Sequence, residues 1–253
     1  MMMSISSHLE AITDAPTLEE LWKRHAERMQ AYGFDRLIYG LTHYRSGYSL
    51  GDPNDFLILT THKPEYIEPF INDGFYFHAP MVKWALEHEG ACSWRMMAEM
   101  VESGTMTKAE MKVVDFNQRM GVTAGYTISF KSVSQRSKGA AALTAREGLS
   151  QDDVDAIWDE HGRDIVLANN VAHLKISSLP YTPPTRSLTK RQREALQWVG
   201  DGKTTQDIAI LMGLTPATVE KHLRLARESL NVETTAQAVL KAAFQNQMFI
   251  VEQ

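Results

Sequence analysis

The chain has 253 residues, enough for one large domain or two modest ones. Its 43% hydrophobic and 23% charged content exclude a wholly disordered or fibrous chain. No stretch reaches the ~18 consecutive apolar residues of a membrane span, and the single cysteine, Cys92, excludes a disulfide framework and a cysteine-based zinc site.

The net charge of −5 is unevenly spread: residues 1–185 carry 17 Lys and Arg against 24 Asp and Glu, whereas residues 186–253 carry nine against seven. A module of −7 is followed by a small one of +2, so the smaller is expected to meet an anionic partner. The opening Met1-Met2-Met3-Ser4 has no basic segment ahead of an apolar core, so no secretory signal is read and the expected compartment is the cytoplasm.

In chain order, Thr17-Leu18-Glu19-Glu20 is a capping-box start, and Leu18, Leu21, Trp22, His25 and Met29 share one side of the helix it opens. Gly33 ends that helix. Phe34–Tyr44 and Phe56–Thr61 are rich in aromatic and branched residues and are predicted strands, joined by a loop holding Gly47, Gly51 and Pro53. Short helices are expected over Lys63–Asn72 and Pro80–His88, with a strand over Ala91–Trp94. Thr107–Met120 is predicted helical with Met111, Val114 and Met120 as its apolar residues. Strands follow over Tyr126–Phe130 and Gly139–Thr144 across the polar turn 132–137. Ser150-Gln151-Asp152-Asp153 caps a long helix to Ile176, with Val154, Ile157, Ile165, Leu167, Val171 and Leu174 expected inward. The fold class is α+β: an α/β/α sandwich on a central antiparallel sheet, followed by an all-α domain of four helices.

Pro180, Pro183 and Pro184 block helix and central strand alike. The expected division is a first domain over 1–178, a proline-rich linker over 179–186 and a helical domain over 187–253. In that last domain Thr189 and Gln192 open a helix, Thr204-Thr205-Gln206-Asp207 a second, Thr215 with Pro216 a third, and Thr234-Thr235 a fourth. The Gly213-Leu214 turn makes the middle pair a helix-turn-helix. On the third helix Val219, Leu223, Ala226 and Leu230 point to a core, leaving Glu220, Lys221, Arg224 and Arg227 on the other side. Arg there can grip guanine bidentately, Glu can accept from cytosine, and Lys can hold phosphates. With the helix-start residues Thr204, Thr205, Thr215 and Thr218, these are the candidate DNA-contacting residues.

Nothing points to catalysis: there is no G-x-S-x-G nucleophile elbow and no glycine-rich phosphate loop. The nine histidines have no metal-ligand spacing, so no metal or cofactor is expected. The methionines Met96, Met97, Met100, Met106 and Met111 are suited to adaptable packing.

The segment from Leu188-Thr189 to Ala238, through Glu194, Gly202, Ile208-Ala209, Leu211, Gly213, Thr218-Val219, His222 and Leu230-Asn231-Val232, closely resembles the LuxR/FixJ-type helix-turn-helix. It departs from that pattern at Ser229, usually Lys, and at Thr235, often Arg. The first domain resembles the autoinducer-binding domain of acyl-homoserine-lactone regulators. Its carriers are His62-Lys63-Pro64-Glu65-Tyr66, Phe70, Ala79-Pro80-Met81-Val82, Trp94, Gly121-Val122-Thr123-Ala124-Gly125 and Thr144.

The resemblance implies a ligand pocket that includes Tyr39, His62, Tyr66, Phe70, Ala79, Trp94, Gly125 and Thr144. It also implies what has changed. In the family a Trp at position 66 donates to the lactone carbonyl, a Tyr at 62 to the acyl carbonyl, and an Asp at 79 accepts from the amide N–H; a pocket-wall Tyr is matched by Phe70. A buried polar group of a ligand left without its partner costs ~1–3 kcal/mol. The expectation is a LuxR-type quorum-sensing regulator of the solo kind that binds an inverted-repeat promoter as a homodimer. Its sensor is then ligand-independent or tuned to a small molecule other than an ordinary acyl-homoserine lactone. The alternatives are a lactone-dependent activator and an anti-activator that forms a heterodimer with a related regulator. The implied partners are double-stranded promoter DNA, a second copy of the chain and RNA polymerase, with no membrane.

Overall fold

The computed structural model describes residues 4–47, 49–132, 134–181 and 187–248, and the chain divides into two compact units, Met1–Ser177 and Ser178–Gln253. The greater part of the expected linker, residues 182–186, lies outside the described residues.

The first unit runs α1 (Ile5–Thr13), α2 (Leu18–Ala31), β1 (Phe34–Thr42), β2 (Leu57–Thr60), α3 (Pro64–Ile71), α4 (Pro80–Glu87), β3 (Gly90–Ser93), α5 (Arg95–Glu102), α6 (Lys108–Arg119), β4 (Gly125–Ser129), β5 (Lys138–Ala145) and α7 (Gln151–Ser178). Short 3-10 turns cover Pro53–Asp55 and Phe75–His78. The sheet order is β2-β1-β5-β4-β3 and every neighbouring pair is antiparallel. Sequence-neighbouring residues on each strand therefore point to opposite faces. On β1, Tyr39 packs against Trp22 of α2 and His173 of α7, while Ile38 and Gly40 face a cavity on the other side. The sheet is thus covered on both faces, as the α/β/α expectation requires.

Two helices escaped the sequence reading. The start of α1 is capped by Ser4, whose side chain accepts from the Ser7 N–H, and α1 packs on α2. The start of α5 is Trp94, which supplies no side-chain cap, so its boundary is unmarked, although Met96, Met97, Met100 and Val101 give it an apolar face and Met96 and Met97 pack against the core. Two buried faces also differ from expectation. Val113 and Phe116 are the buried residues of α6, with Met111, Val114 and Met120 only half-buried. On α7, Leu167 and Leu174 are 44% and 69% exposed, while Ala168, Asn169 and Ala172 take the inward places. The inward stripe runs through Val154, Gly162, Ile165, Ala168, Asn169, Ala172 and Ile176, and Asn169 ties it to α2 through His25 Nε2 at 3.1 Å.

The second unit holds α8 (Lys190–Gly200), α9 (Thr205–Met212), α10 (Pro216–Leu230) and α11 (Thr235–Phe244). Capping boxes open α8, α9 and α11 through Thr189 with Gln192, Thr204 with Asp207 and Thr234 with Gln237. Each supplies partners for backbone N–H groups that a helix start leaves free. Gly213 closes α9 at φ 66°, a left-handed conformation that glycine adopts without a Cβ clash. Ala195, Leu196, Ile208, Val219, Ala226, Leu230, Ala238 and Ala242 form a core with no exposure.

Burial leaves its mark on the histidines of the first unit. His8, His25, His62 and His173 are each pushed down to about 4, with desolvation as the main cause. Their neutral forms are favoured in the fold, whereas an unfolded histidine titrates near 6.5. Stability is therefore full above pH ~6.5 and is lost as pH falls toward 4, at up to ~1.4 kcal/mol per pH unit for each ring. Urea melts followed by tryptophan fluorescence should show the midpoint falling between pH 7 and 5. A midpoint unchanged over that interval would mean that these rings are not held neutral.

Candidate ligand cavity and DNA-reading helix

Between the sheet and the layer formed by α3, α4 and their neighbours lies a cavity of about 160 Å³. Its floor is Ile38 and Gly40 of β1 with Ala140, Ala142 and Thr144 of β5, and its walls include Phe56, Tyr66, Phe70, Tyr76, Ala79, Met81, Trp94 and Val122. Of the eight expected pocket residues, Tyr66, Phe70, Ala79, Trp94 and Thr144 line it.

The other three are placed differently. Tyr39 is on the far face of the sheet, where its hydroxyl is 2.8 Å from His173 Nδ1; the one-residue alternation of β1 turns it away from the cavity. His62 sits behind the wall, stacked on Tyr66 at 4.3 Å. Gly125 lines no void, but a Cβ there would overlap the Leu143 carbonyl oxygen and stand 2.9 Å from the Trp94 ring. It is the glycine that lets β4 carry the Trp94 wall.

Three polar groups around the cavity are paired with neighbouring side chains. The Tyr66 hydroxyl donates to Asn117 Oδ1 at 3.0 Å. The Trp94 indole N–H donates to Thr127 Oγ1 at 2.9 Å. Thr144 Oγ1 is 3.4 Å from His62 Nε2. Tyr66 is also the centre of an aromatic stack, with Phe70 at 5.5 Å and Phe116 at 5.3 Å. No Asp or Glu is among the cavity-lining residues. A role for Asn117, Tyr76 and Phe116 was not visible in sequence; the burial of Val113 and Phe116 on α6 is the signal that brings Asn117 to the wall.

In the second unit the four apolar positions of α10 turn inward, with Val219, Ala226 and Leu230 fully buried and Leu223 4% exposed. Glu220, Lys221 and Arg224 are exposed and Arg227 is half-buried. Several of these side chains already have partners. Thr205 Oγ1 donates to Glu220 Oε1 at 2.8 Å, tying α9 to α10. Arg224 pairs with Glu228 at 2.5 Å one turn along the helix, a contact that DNA can exchange because exposed pairs of this kind are worth little. Arg227 donates to Thr235 Oγ1 at 2.9 Å, which joins α10 to the start of α11. Thr204 holds the Asp207 carboxyl below its usual range through a hydroxyl and a backbone hydrogen bond. Thr215 accepts from the Thr218 N–H.

Among the described residues, no group of three or more His, Cys, Asp or Glu is placed to hold a metal ion. Nor is any helix among them long and apolar enough to cross a membrane.

Comparison with known proteins gives the same division of labour. The family described as autoinducer binding domain matches residues 17–176, and the family described as bacterial regulatory proteins, luxR family, matches residues 186–242. The transcriptional activator protein LuxR of Aliivibrio fischeri is 22% identical over 190 residues, covering 74% of this chain and 73% of that protein. The transcriptional activator protein SolR of Ralstonia nicotianae is 27% identical over 232 residues, covering 88% and 89%. The fold is similar to that of SdiA from Escherichia coli, with a TM-score of 0.51, 16% identity and coverage of 97% of this chain and 98% of that one. A structure of SdiA in complex with octanoyl-rac-glycerol gives a TM-score of 0.52 at 15% identity, covering 95% and 93%. This chain belongs to the LuxR family of autoinducer-binding, helix-turn-helix transcriptional regulators.

Proposed function

We propose that this regulator binds an inverted-repeat promoter site as a homodimer, with α10 in the major groove, and that its sensor domain does not answer an ordinary acyl-homoserine lactone. The observation that carries the reading is Ala79. The family carboxylate that accepts from the ligand amide is absent, and the neighbouring polar groups of Tyr66, Trp94 and Thr144 are already engaged with Asn117, Thr127 and His62 respectively. A lactone would have to break one of those pairs and still leave its amide N–H without a charged acceptor. The sensor is then either independent of ligand or specific for a small, largely apolar molecule.

Dimerisation is supported within each unit separately. In the first, Leu167 and Leu174 stand exposed on α7; in the second, Leu240 and Phe244 are 55% and 39% exposed on α11. A single head with a surplus of two positive charges binds DNA weakly, so two linked heads are needed for useful affinity. Helix-turn-helix dimers place their reading helices one DNA turn apart, which sets the half-site centres at ~10 bp.

Lys221 and Arg224 occupy the exposed side of α10 in different ways, and their losses should differ. Arg224→Ala is expected to relax base preference at one position of each half-site, by ~1–3 kcal/mol of discrimination. Lys221→Ala should weaken binding evenly across sequences and lower the salt dependence. Footprinting of both variants checks this; a footprint unchanged by either would remove α10 from the groove.

The purified protein alone should shift an inverted-repeat promoter fragment in a gel, and a panel of acyl-homoserine lactones should leave the shift unchanged. Failure to shift any operator unaided would favour the heterodimerising anti-activator instead. A shift that appears only with a lactone would establish an ordinary quorum sensor.

A further inference from the structure

One group on the cavity wall is unlike the rest. Tyr76 lines the cavity and is 4% exposed. Its ring lies edge-on to Phe56 at 5.8 Å and stacks on Phe77 at 4.2 Å. Its hydroxyl is buried and has no hydrogen-bond partner among the described residues. Native folds rarely leave such a group unpaired, because an unmade buried hydrogen bond is destabilising; when they do, a water or a ligand usually completes it.

The phenol can act only in certain ways. Burial, with the charge of the Asp52 carboxylate adding to it, pushes its pKa up to about 12, so it keeps its proton near neutrality and offers an O–H donor. No carboxylate lines the cavity to receive a cation or a strongly polar N–H. Lys138 also lines it, but its ammonium donates to the His88 carbonyl oxygen at 3.1 Å. At about 160 Å³ the space is comparable to that of apolar cavities that take a six-carbon ring.

We propose that Tyr76 is the polar anchor of the cavity, its hydroxyl donating to the one carbonyl oxygen of a small, neutral and otherwise hydrocarbon ligand. The proposal rests on the reading that the cavity is a ligand site that has lost lactone recognition, and it names the ligand class and the residue that selects it. Recognition then comes from apolar contact with Phe56, Phe70, Met81 and Trp94 and from a single hydrogen bond. Tyr76 was not among the residues that the family resemblance marked for the pocket.

The test uses the full-length protein and three matched probes: 2-hexanone, hexane and hexanoate. Binding is followed by tryptophan fluorescence, because Trp94 lines the cavity. The ketone should bind about tenfold more tightly than hexane, as one completed buried hydrogen bond implies, and hexanoate should bind least. In Tyr76→Phe, ketone affinity should fall to that of hexane while hexane affinity stays the same. The unliganded variant should melt no lower than the parent, and up to about 2–4 °C higher, because an unpaired hydroxyl has been removed.

Equal binding of ketone and hexane to the parent protein overturns the anchor but leaves the cavity as a ligand site, as does a ketone preference that survives Tyr76→Phe. Tightest binding of hexanoate overturns it in favour of Lys138 and an anionic ligand. Binding of none of the three overturns both the anchor and the ligand-site reading beneath it.

Discussion

The sensor unit is organised around the side chain of Tyr66. Its ring is held between His62 at 4.3 Å and the rings of Phe70 and Phe116, and its hydroxyl is fixed on Asn117 of α6. That arrangement joins α3, α6 and the segment after β2 into one wall of the cavity. Because His62 in turn lies within 3.4 Å of Thr144 on β5, the wall is also linked to the floor. The Tyr66 hydroxyl and the Thr144 side chain are thus part of the scaffold. Such pairs stiffen a cavity when complete and are costly to open.

On the reading proposed above, a cavity built this way discriminates by what it fails to offer. With alanine at position 79, the Tyr66 hydroxyl engaged by Asn117 and the Trp94 indole by Thr127, it presents mainly apolar area. Apolar contact is roughly proportional to area and carries little directional information, so any remaining selectivity falls to the few unsatisfied atoms. The output unit follows the opposite logic. Its four helix starts are each capped by a threonine, its core positions on α10 are closed, and Glu220, Lys221 and Arg224 remain exposed on the outer side. Arg227 is the exception: its contact with Thr235 makes it a brace between α10 and α11.

Legibility in the sequence followed the strength of local chemistry. Thr189, Thr204, Thr215 and Thr234 announced helix starts because a cap is a contact between residues three apart, and Val219 to Leu230 announced a buried face through its spacing. The sheet is legible as aromatic and branched runs, although the family resemblance places Tyr39 in the cavity and the pleat turns it toward α2 and α7. Longer-range facts were not legible. Leu167 and Leu174 carry the right spacing for a core, yet the buried stripe of α7 runs through Ile165, Ala168, Asn169, Ala172 and Ile176 instead. The start of α5 lacks any side-chain cap. The pairing of Tyr66 with Asn117 spans 51 positions, and the isolation of the Tyr76 hydroxyl depends on everything around it.

The most direct measurement of the central claim is calorimetric titration of Ala79→Asp and of the unsubstituted protein with N-hexanoyl-homoserine lactone. Restoring a carboxylate acceptor should bring lactone affinity up by about ten- to several-hundred-fold from a barely detectable level, the range that one regained charged hydrogen bond spans. Micromolar or tighter binding by the unsubstituted protein, with no gain in Ala79→Asp, would contradict the assignment of lost lactone recognition to that position.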